Sequence, residues 1–361
     1  MVSRRDFMKE TAGAAASIVF TGCSLLSAPQ ARAQAKPSGK RREVLVAGRR
    51  ARVIDVHAHC TIPEAHALLG LKPQSAIGPG IDEVGQRRLG EMDEFGIDME
   101  VLSINPAWYR AERDVVTQVI KIQNEKLAEF CAKYPDRFAA FASLALQFPD
   151  LAVQQLEEGM KKYNLRGAAI GGSVAGVDFS DAKFHPVWAK AEELGAVLFI
   201  HPQSTPPLAA RFKGNGWLSN TIGNPLDTTI ALEKLIFEGT LDRHPGLKII
   251  AAHGGGFLPS YAPRMDHSCR VNPAECNPNI VLKKKPTEYL RSLYFDSLVF
   301  TSEALRHLAA EVGTSQIVVG TDHPIPWNLH AVDHVLNAPS LSDAEKVAIL
   351  GGNAAKLLNI K

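Results

Sequence analysis

The chain has 361 residues, of which 45% are hydrophobic and 22% are charged. Its 40 Lys and Arg residues nearly balance its 38 Asp and Glu residues, which leaves a net charge of +2. This composition excludes a disordered or collagen-like chain. The near-neutral charge argues against a nucleic-acid-binding protein, and five cysteines are too few for a disulfide scaffold. The length allows one large α/β barrel or two smaller domains.

The first 35 residues have the features of an export signal. Arg4 and Arg5 precede an apolar residue, as in twin-arginine signals. The apolar run Ala12–Leu26 is too short to span a bilayer, and sites with small residues suitable for cleavage follow it. We therefore predict a twin-arginine signal peptide over residues 1–35, with a periplasmic mature protein that has no transmembrane span. Lipidation at Cys23 is a minor alternative.

Residues 36–52 form a basic lead-in to the main domain. Residues 1–52 together hold eleven Lys and Arg against three Asp and Glu, so the rest of the chain has a net charge of −6. We predict a solvated segment, with a small hairpin of Val44–Val46 and Ala51–Val53 around Gly48.

Over residues 53–361, short apolar runs alternate with amphipathic stretches. The runs are apolar almost throughout, as expected of parallel strands with both faces buried. Eight such strands alternating with helices predict an α/β fold of the (β/α)8 TIM-barrel type. A doubly wound open sheet is the alternative, but the Gly-rich phosphate turn that normally follows its first strand is missing. The predicted strands are Val53–Val56, Met99–Ile104, Phe138–Leu144, Gly167–Ile170, Val197–Ile200, Lys248–Ala252, Leu293–Asp296 and Gln316–Gly320, and the predicted helices are Glu83–Phe95, Arg113–Tyr134, Leu151–Tyr163, Pro186–Leu194, Leu226–Leu241 and Ser302–Val312.

Polar side chains follow four of these strands at the point where each strand ends. They are His57 and His59 after the first strand, His201 after the fifth, His253 after the sixth and Asp322 after the eighth. The carboxyl ends of barrel strands form the catalytic face, so these side chains can converge there. Three histidines and one aspartate suit Zn²⁺ or a similar ion and leave a position for water or substrate.

Several of these segments resemble the amidohydrolase superfamily, and within it the branch typified by aminocarboxymuconate semialdehyde decarboxylase. The similarity extends from about Val53 to Leu358 and is densest in Trp217–His267 and Leu293–Pro326. The segments that carry the resemblance are Val53–His59, His201-Pro202, Gly223-Asn224-Pro225, Ala252-His253-Gly254-Gly255-Gly256, Pro263-Arg264-Met265-Asp266-His267 and Gly320-Thr321-Asp322-His323-Pro324.

The resemblance implies a metal-dependent barrel with one divalent metal ion, expected to be Zn²⁺, held by His57, His59, His201 and Asp322. His253 then matches the residue that acts as acid and base beside the metal, with Asp322 as its partner in proton transfer. The fourth strand contains no Lys, which agrees with one metal ion rather than two.

The resemblance also assigns two residues to substrate binding and implies a homodimer. Arg264 falls where the decarboxylase uses an Arg, donated across the dimer interface, to bind a carboxylate. Trp217 matches an aromatic residue of the pocket, although packing of a loop is an equal alternative for it.

One departure from the decarboxylase concerns its second carboxylate-binding Arg, which lies after the first strand. The segment Cys60–Ile81 has no Arg here. We therefore expect a small-molecule substrate with one carboxylate, and a non-oxidative decarboxylase of a small aromatic or unsaturated acid. Hydrolysis of an ester, lactone or amide by the same residues is the main alternative.

Two other classes remain as distant alternatives. One is a non-catalytic exported binding barrel. The other is a serine esterase, based on the elbow-like segment Gly171–Ala175 and the glycines after His253, which stand in the wrong chain order for that fold. The metal, the substrate, the oligomeric state, the cleavage site and a pairing of Cys269 with Cys276 stay open at this point.

Overall fold

The computed structural model describes residues 41–71, 80–203, 205–327 and 330–361. The predicted signal peptide and residues 36–40 of the lead-in lie outside the described residues. No helix within the described ranges combines the length and hydropathy that crossing a membrane requires.

The described residues contain the predicted barrel. An antiparallel hairpin, β1 and β2, precedes eight parallel strands, β3 to β10. The strands are β1 (Leu45–Val46), β2 (Arg49–Arg50), β3 (Ile54–His59), β4 (Met99–Ser103), β5 (Phe138–Ala140), β6 (Gly167–Ile170), β7 (Val197–Ile200), β8 (Lys248–Ala251), β9 (Tyr294–Asp296) and β10 (Ile317–Val318).

Isolated bridges close the barrel. Strands β3 to β5 form one sheet and β6 to β10 another. The bridge between Ala142 and Ala168 joins β5 to β6, and the bridge between Asp55 and Val319 joins β3 to β10. The Asp55 carboxylate reinforces the second junction by accepting a hydrogen bond from the Thr321 hydroxyl. The strand alternation of the sequence therefore corresponds to a closed barrel, not to an open sheet.

The predicted strands and helices are confirmed with shifted ends. The eighth strand is shorter than predicted, and the first extends to residue 59, so His57 and His59 are strand residues. The helix predicted over residues 226–241 is two helices, because Gly239 takes a left-handed conformation (φ +70°). The helices of the described residues are Pro63–Leu68, Ile81–Phe95, Arg113–Lys133, Pro149–Lys161, His185–Leu194, Asn224–Phe237, Thr240–Arg243, Leu258–Met265, Ser268–Val271, Pro286–Tyr289, Ser302–Val312, Ala331–Leu336, Asp343–Val347 and Asn353–Leu358.

Two hydrophobic cores follow from the alternation of side chains along the strands. One face of each strand fills the barrel interior, with Val56, Val101 and Phe199 among its members. The C-terminal helix Asn353–Leu358 adds Ala354, Leu357 and Leu358 to this interior core. The opposite faces pack against the surrounding helices in the second core.

The lead-in differs from the solvated segment that its charge suggested. Its hairpin turns at Gly48 as predicted, but the second strand is Arg49–Arg50 rather than Ala51–Val53. Val44 and Val46 are buried against the barrel. Arg41 and Arg50 both pair with the carboxylate of Asp98, at 2.8 and 2.7 Å. Arg41 and Arg50, which the charge pattern placed in solvent, therefore attach the described part of this segment to the acidic barrel.

Candidate active site and metal centre

Strand β3 presents two histidines on one face. His57 and His59 are two residues apart and fully buried, so both rings enter the same space at the end of the strand. Their Nε2 atoms lie 3.2 Å apart. Two ring nitrogens at this distance need either a shared proton or a shared ligand.

The structure brings the other two predicted ligands to the same place. His201 directly follows β7, and its ring centroid lies 4.6 Å from that of His59. Asp322 follows β10, with Oδ1 2.8 Å from His59 Nε2 and 3.2 Å from His57 Nε2. One ligand atom from each of the four residues lies within 4.8 Å of all the others. All four predicted ligands therefore form one cluster.

Hydrogen bonds behind β3 orient the first of these rings. Asp296, the last residue of β9, is fully buried, and its Oδ2 accepts the Nδ1–H of His57 at 2.7 Å. The same carboxylate accepts the backbone N–H groups of His253 and Gly254, at 2.9 and 2.8 Å. This bond fixes the His57 ring with Nε2 directed at the cluster, as carboxylates that accept from metal-binding histidines do.

Ser103, at the end of β4, orients the second ring. Its hydroxyl lies 3.0 Å from Nδ1 of His59 and donates to the carbonyl of Ala58 at 3.1 Å. Because the hydroxyl proton of Ser103 is donated to that carbonyl, the hydroxyl oxygen accepts the Nδ1–H of His59. Nε2 of His59 is left free to act as a ligand.

The charges around the cluster favour a bound cation. Burial lowers the pKa values of His59 and His201, which keeps both rings neutral. Burial would also lower the pKa of His57, but the carboxylates of Asp322 and Asp296 raise it to about 10. Burial would raise the pKa of Asp322, but His57 and the hydrogen bonds from neighbouring histidines hold it well below its usual range. Two ionised carboxylates thus flank a His57 ring that carries a positive charge, and a divalent cation bound beside the neutral rings of His59 and His201 would take over that compensating charge.

The donor set fits a single divalent metal ion. Within the described residues, both ring nitrogens of His201 are buried and have no hydrogen-bond partner. An unsatisfied buried polar group costs about 1–3 kcal/mol, so a ligand on this ring stabilises the site. Neutral imidazoles and a carboxylate oxygen are the ligands that Zn²⁺ and similar ions prefer.

His253 lies at the edge of the cluster. Its ring centroid is 5.1 Å from that of His57, and its Nε2 is 3.8 Å from Oδ2 of Asp322. Its side chain is 15% exposed, whereas those of His57 and His59 are fully buried. A group that is close to the ligands and still open to solvent is well placed to exchange protons with a substrate.

His253 and Asp322 both have left-handed backbone conformations, with φ of +56° and +61°. Such values are uncommon in residues other than glycine and often occur at functional sites. The glycines after His253 share this conformation, and a Cβ on Gly255 would lie 2.5 Å from the ring of Phe295. Backbone conformation and packing therefore account for the glycine run, without an oxyanion hole.

The two predicted substrate-binding residues lie farther out. Trp217 is 55% exposed and stacks on Trp327, with ring centroids 5.5 Å apart and an interplanar angle of 13°. Arg264 is exposed on the helix Leu258–Met265. Within the described part of the chain, its guanidinium makes no hydrogen bond or ion pair with the ligand cluster.

Sequence reasoning overlooked Asp296. It directly follows the apolar run of β9, so the criterion that selected His201 and Asp322 applies to it equally. Ser103 ends β4 in the same way. A survey of all eight strand ends, instead of the histidine-bearing ones, would have found both residues.

Comparison with known proteins agrees with this geometry. Residues 54–360 match the family model described as Amidohydrolase. The chain is 30% identical over 276 residues to 2-amino-3-carboxymuconate-6-semialdehyde decarboxylase of Dictyostelium discoideum, covering 76% of each chain. It is 31% identical over 331 residues to gamma-resorcylate decarboxylase of Rhodococcus jostii, covering 85% of this chain and 98% of that protein. A crystal structure of dihydroxybenzoic acid decarboxylase from a Polaromonas species, with bound manganese and the inhibitor 2-nitroresorcinol, superposes with a TM-score of 0.75 at 28% identity, covering 86% of this chain and 97% of that one.

The chain belongs to the amidohydrolase family. The predicted TIM barrel is confirmed, and so is the predicted metal-dependent carboxy-lyase, because decarboxylase relatives accompany the His and Asp cluster. The site is that of one divalent metal ion. The identity of that ion as zinc stays a prediction.

Asp296→Asn retains the size of the side chain but removes its charge. We expect affinity for the metal to fall about 10–100-fold, because His57 loses the carboxylate that orients its ring. Ser103→Ala removes only a neutral acceptor from His59 and should weaken binding less. Titration of metal-free protein with Mn²⁺, followed by electron paramagnetic resonance (EPR), gives both constants. Wild-type affinity in Asp296→Asn would contradict this role.

Proposed function

We propose that the protein is a Zn²⁺-dependent, non-oxidative decarboxylase of ring-hydroxylated benzoic acids that carry one carboxylate. The observation that carries the proposal is the four-residue ligand cluster with His253 beside it. Similarity to gamma-resorcylate and dihydroxybenzoic acid decarboxylases supports an aromatic substrate. The lack of Arg in Cys60–Ile81 supports one carboxylate rather than two.

The reaction replaces the carboxylate by a proton. The proton bonds to the ring carbon that bears the carboxylate, and the bond from that carbon to the carboxylate then breaks. CO₂ leaves, and the electron pair of the broken bond restores the aromatic ring. A bound divalent cation supplies fixed positive charge that polarises oxygen atoms of the substrate. The protein must hold the ring and deliver the proton.

His253 is the proposed proton donor. It is partly exposed, and within the described residues its buried Nδ1 has no hydrogen-bond partner. Asp322 is its proposed partner, because the carboxylate Oδ2, 3.8 Å from His253 Nε2, can stabilise the protonated ring. The other oxygen, Oδ1, faces His57 and His59. One carboxylate thereby connects the metal ligands to the acid.

Trp217 is proposed to hold the ring of the substrate. It belongs to the loop after β7, and its stacking partner Trp327 belongs to the loop after β10. Phe300, from the loop after β9, lies 6.1 Å from Trp327 and is 61% exposed. Three exposed or half-exposed rings from loops at the carboxyl ends of strands suit an aromatic ligand better than an aliphatic one.

Arg264 is proposed to bind the carboxylate in the active site of a partner subunit. Its exposed position, away from the ligand cluster of its own chain, supports a homodimer in which the helix Leu258–Met265 reaches the second site. Tyr261 on the same helix is 57% exposed, which adds apolar surface for such an interface. An Arg guanidinium can bind a carboxylate through two parallel hydrogen bonds.

Export to the periplasm is proposed from the leader, and one structural feature supports it. Cys269 and Cys276 form a disulfide, with Cα atoms 5.7 Å apart. Structural disulfides persist in oxidising compartments and are rare in the cytosol. Both cysteines are partly or fully exposed to solvent, where a reducing cytosol would act on them.

Incubation with a panel of substrates tests the reaction. We expect metal-loaded protein to release CO₂ from 2,6-dihydroxybenzoate or a related hydroxybenzoate, because the cluster and the aromatic loops suit that chemistry. Loss of activity with a chelator and recovery with Zn²⁺ or Mn²⁺ are also expected. Esters, lactones and amides belong in the same panel, and hydrolysis of these without CO₂ release would contradict the proposal.

His253→Asn tests the acid. Asparagine tolerates the left-handed backbone of this position, so the loop should be retained. We expect kcat to fall about 10²–10⁴-fold, because the proton donor is lost, while the metal content stays that of the wild type. His267→Asn is a matched control on an exposed histidine and should leave both unchanged. Full activity in His253→Asn would remove this residue from the mechanism.

Conservative replacement of the twin arginines tests export. Arg4→Lys with Arg5→Lys keeps the charge but should leave the protein in the cytoplasm, because the twin-arginine pathway requires the pair. Arg41→Lys with Arg42→Lys changes a second Arg pair and should not affect export. Cell fractionation and N-terminal sequencing give location and cleavage site. Undiminished export of the Arg4/Arg5 variant would exclude this route.

A further inference from the structure

Three of the four metal ligands, His57, His59 and Asp322, lie at the junction of β3 and β10, where isolated bridges take the place of a continuous ladder. Strand β10 has two residues, and an isolated bridge joins it to β3. Beyond that bridge, the backbone N–H of Asp322 donates to the carbonyl of His57 at 2.9 Å. The backbone N–H of His59 donates to the carbonyl of His323 at 2.7 Å. The relative positions of three ligands therefore depend on a few hydrogen bonds across this junction.

Arg88 binds both sides of the junction with one side chain. Its Nη1 donates to the carbonyl of His59 at 2.8 Å, and its Nη2 donates to the carbonyl of His323 at 2.9 Å. The residue is only 2% exposed. A planar guanidinium holds two such acceptors in a set geometry, which the single ammonium of a lysine cannot do.

A buried acid, Glu100, holds the guanidinium in place. Glu100 on β4 is fully buried, and its Oε2 lies 3.1 Å from Nε of Arg88. Its other oxygen lies 2.7 Å from Nδ1 of His323. Nδ1 of His323 also lies 3.3 Å from Nε of Arg88. Because its distance to the carboxylate is shorter, we infer that Nδ1–H of His323 donates to Glu100. Nε2 of His323 then donates to Glu91 at 3.0 Å.

Two members of this network, Arg88 and Glu91, come from one helix. Arg88 and Glu91 are three residues apart on the helix Ile81–Phe95, so their side chains lie on one face. The network consequently connects that helix to β4 and to the loop that carries Asp322. Arg87, the neighbour of Arg88, has a side chain that is 65% exposed, and its Nε donates to Oε1 of Glu91 at 3.3 Å; within the described residues it makes no hydrogen bond to the carbonyls of the junction.

We propose that Arg88 is a positioning residue of the metal site, which sets the distance between the ligands His59 and Asp322 by holding the carbonyls of His59 and His323. Oδ1 of Asp322 lies 2.8 Å from Nε2 of His59, so a small shift across the junction changes the space available to the ion. The proposal rests on the metal site and does not depend on which acid is the substrate.

Binding of Mn²⁺ to metal-free protein tests the proposal in the absence of substrate. Arg88→Lys keeps the charge but removes the pair of guanidinium donors, and Arg88→Met removes both the charge and the donors. Arg87→Met is the matched control. We expect both Arg88 variants to bind Mn²⁺ at least about tenfold more weakly, with a changed EPR spectrum of the bound ion, as loss of a group that orients metal ligands typically causes. Arg87→Met should bind as the wild type does. Circular dichroism and thermal melting of the metal-free proteins establish that each is folded.

Three results would overturn the proposal. One is Mn²⁺ affinity of both Arg88 variants within twofold of Arg87→Met. Another is a loss of Mn²⁺ affinity in Arg88→Met but not in Arg88→Lys, since the positive charge alone would then suffice without the two guanidinium donors. The third is failure of both Arg88 variants to fold without metal, which would make Arg88 a residue of the fold in general. The two proposals can fail separately. Weak Mn²⁺ binding by the Arg88 variants would support the positioning role even if the wild-type protein released no CO₂ from any substrate, a result that would contradict only the proposed reaction.

Discussion

The site depends on one buried imidazole between two carboxylates. Nδ1 of His57 donates to Asp296, and its Nε2 faces Asp322, with all three side chains almost wholly removed from water. Two carboxylates in such a place require compensating positive charge, which a divalent cation supplies, while the lone pairs of His59 and His201 complete its set of ligands. His57 lies on β3, whereas the two carboxylates belong to β9 and to the loop after β10, on the other side of the junction that closes the barrel. Closure of the barrel thus brings His57 and the two carboxylates together.

Backbone conformation adds a second constraint. His253 and Asp322 adopt left-handed conformations that side chains disfavour, and the surrounding structure must compensate for that cost. Asp296 provides part of the compensation, because its carboxylate accepts the backbone N–H groups of His253 and Gly254. The same carboxylate orients His57. Loss of Asp296 would therefore disturb a ligand and the proposed acid together.

Much of this architecture could be predicted from local pattern. Apolar runs marked all eight strands, and polar residues at their carboxyl ends identified His57, His59, His201, His253 and Asp322, because strand geometry sends side chains there. Local pattern was insufficient for Arg88 and Glu100. Both are charged residues inside otherwise ordinary elements, and a charge is buried only where a partner from another element meets it. The lead-in shows the same limit. Its charge pattern predicted solvated arginines, but Arg41 and Arg42 pair with Asp98 and Asp333, which are distant in the sequence.

The sequence by itself determined the barrel, the four metal ligands and the neighbouring His253, because each depends on periodicity and on the position of a residue within its own strand. The tertiary structure decided which groups orient those ligands. Asp296, Ser103 and Arg88 act through hydrogen bonds to residues at least 29 positions away in the chain. It also decided that Arg264 lies outside the cluster of its own chain and that Trp217 stacks on Trp327. Such contacts arise from closure of the barrel, which brings distant segments within hydrogen-bond distance and which no local pattern encodes.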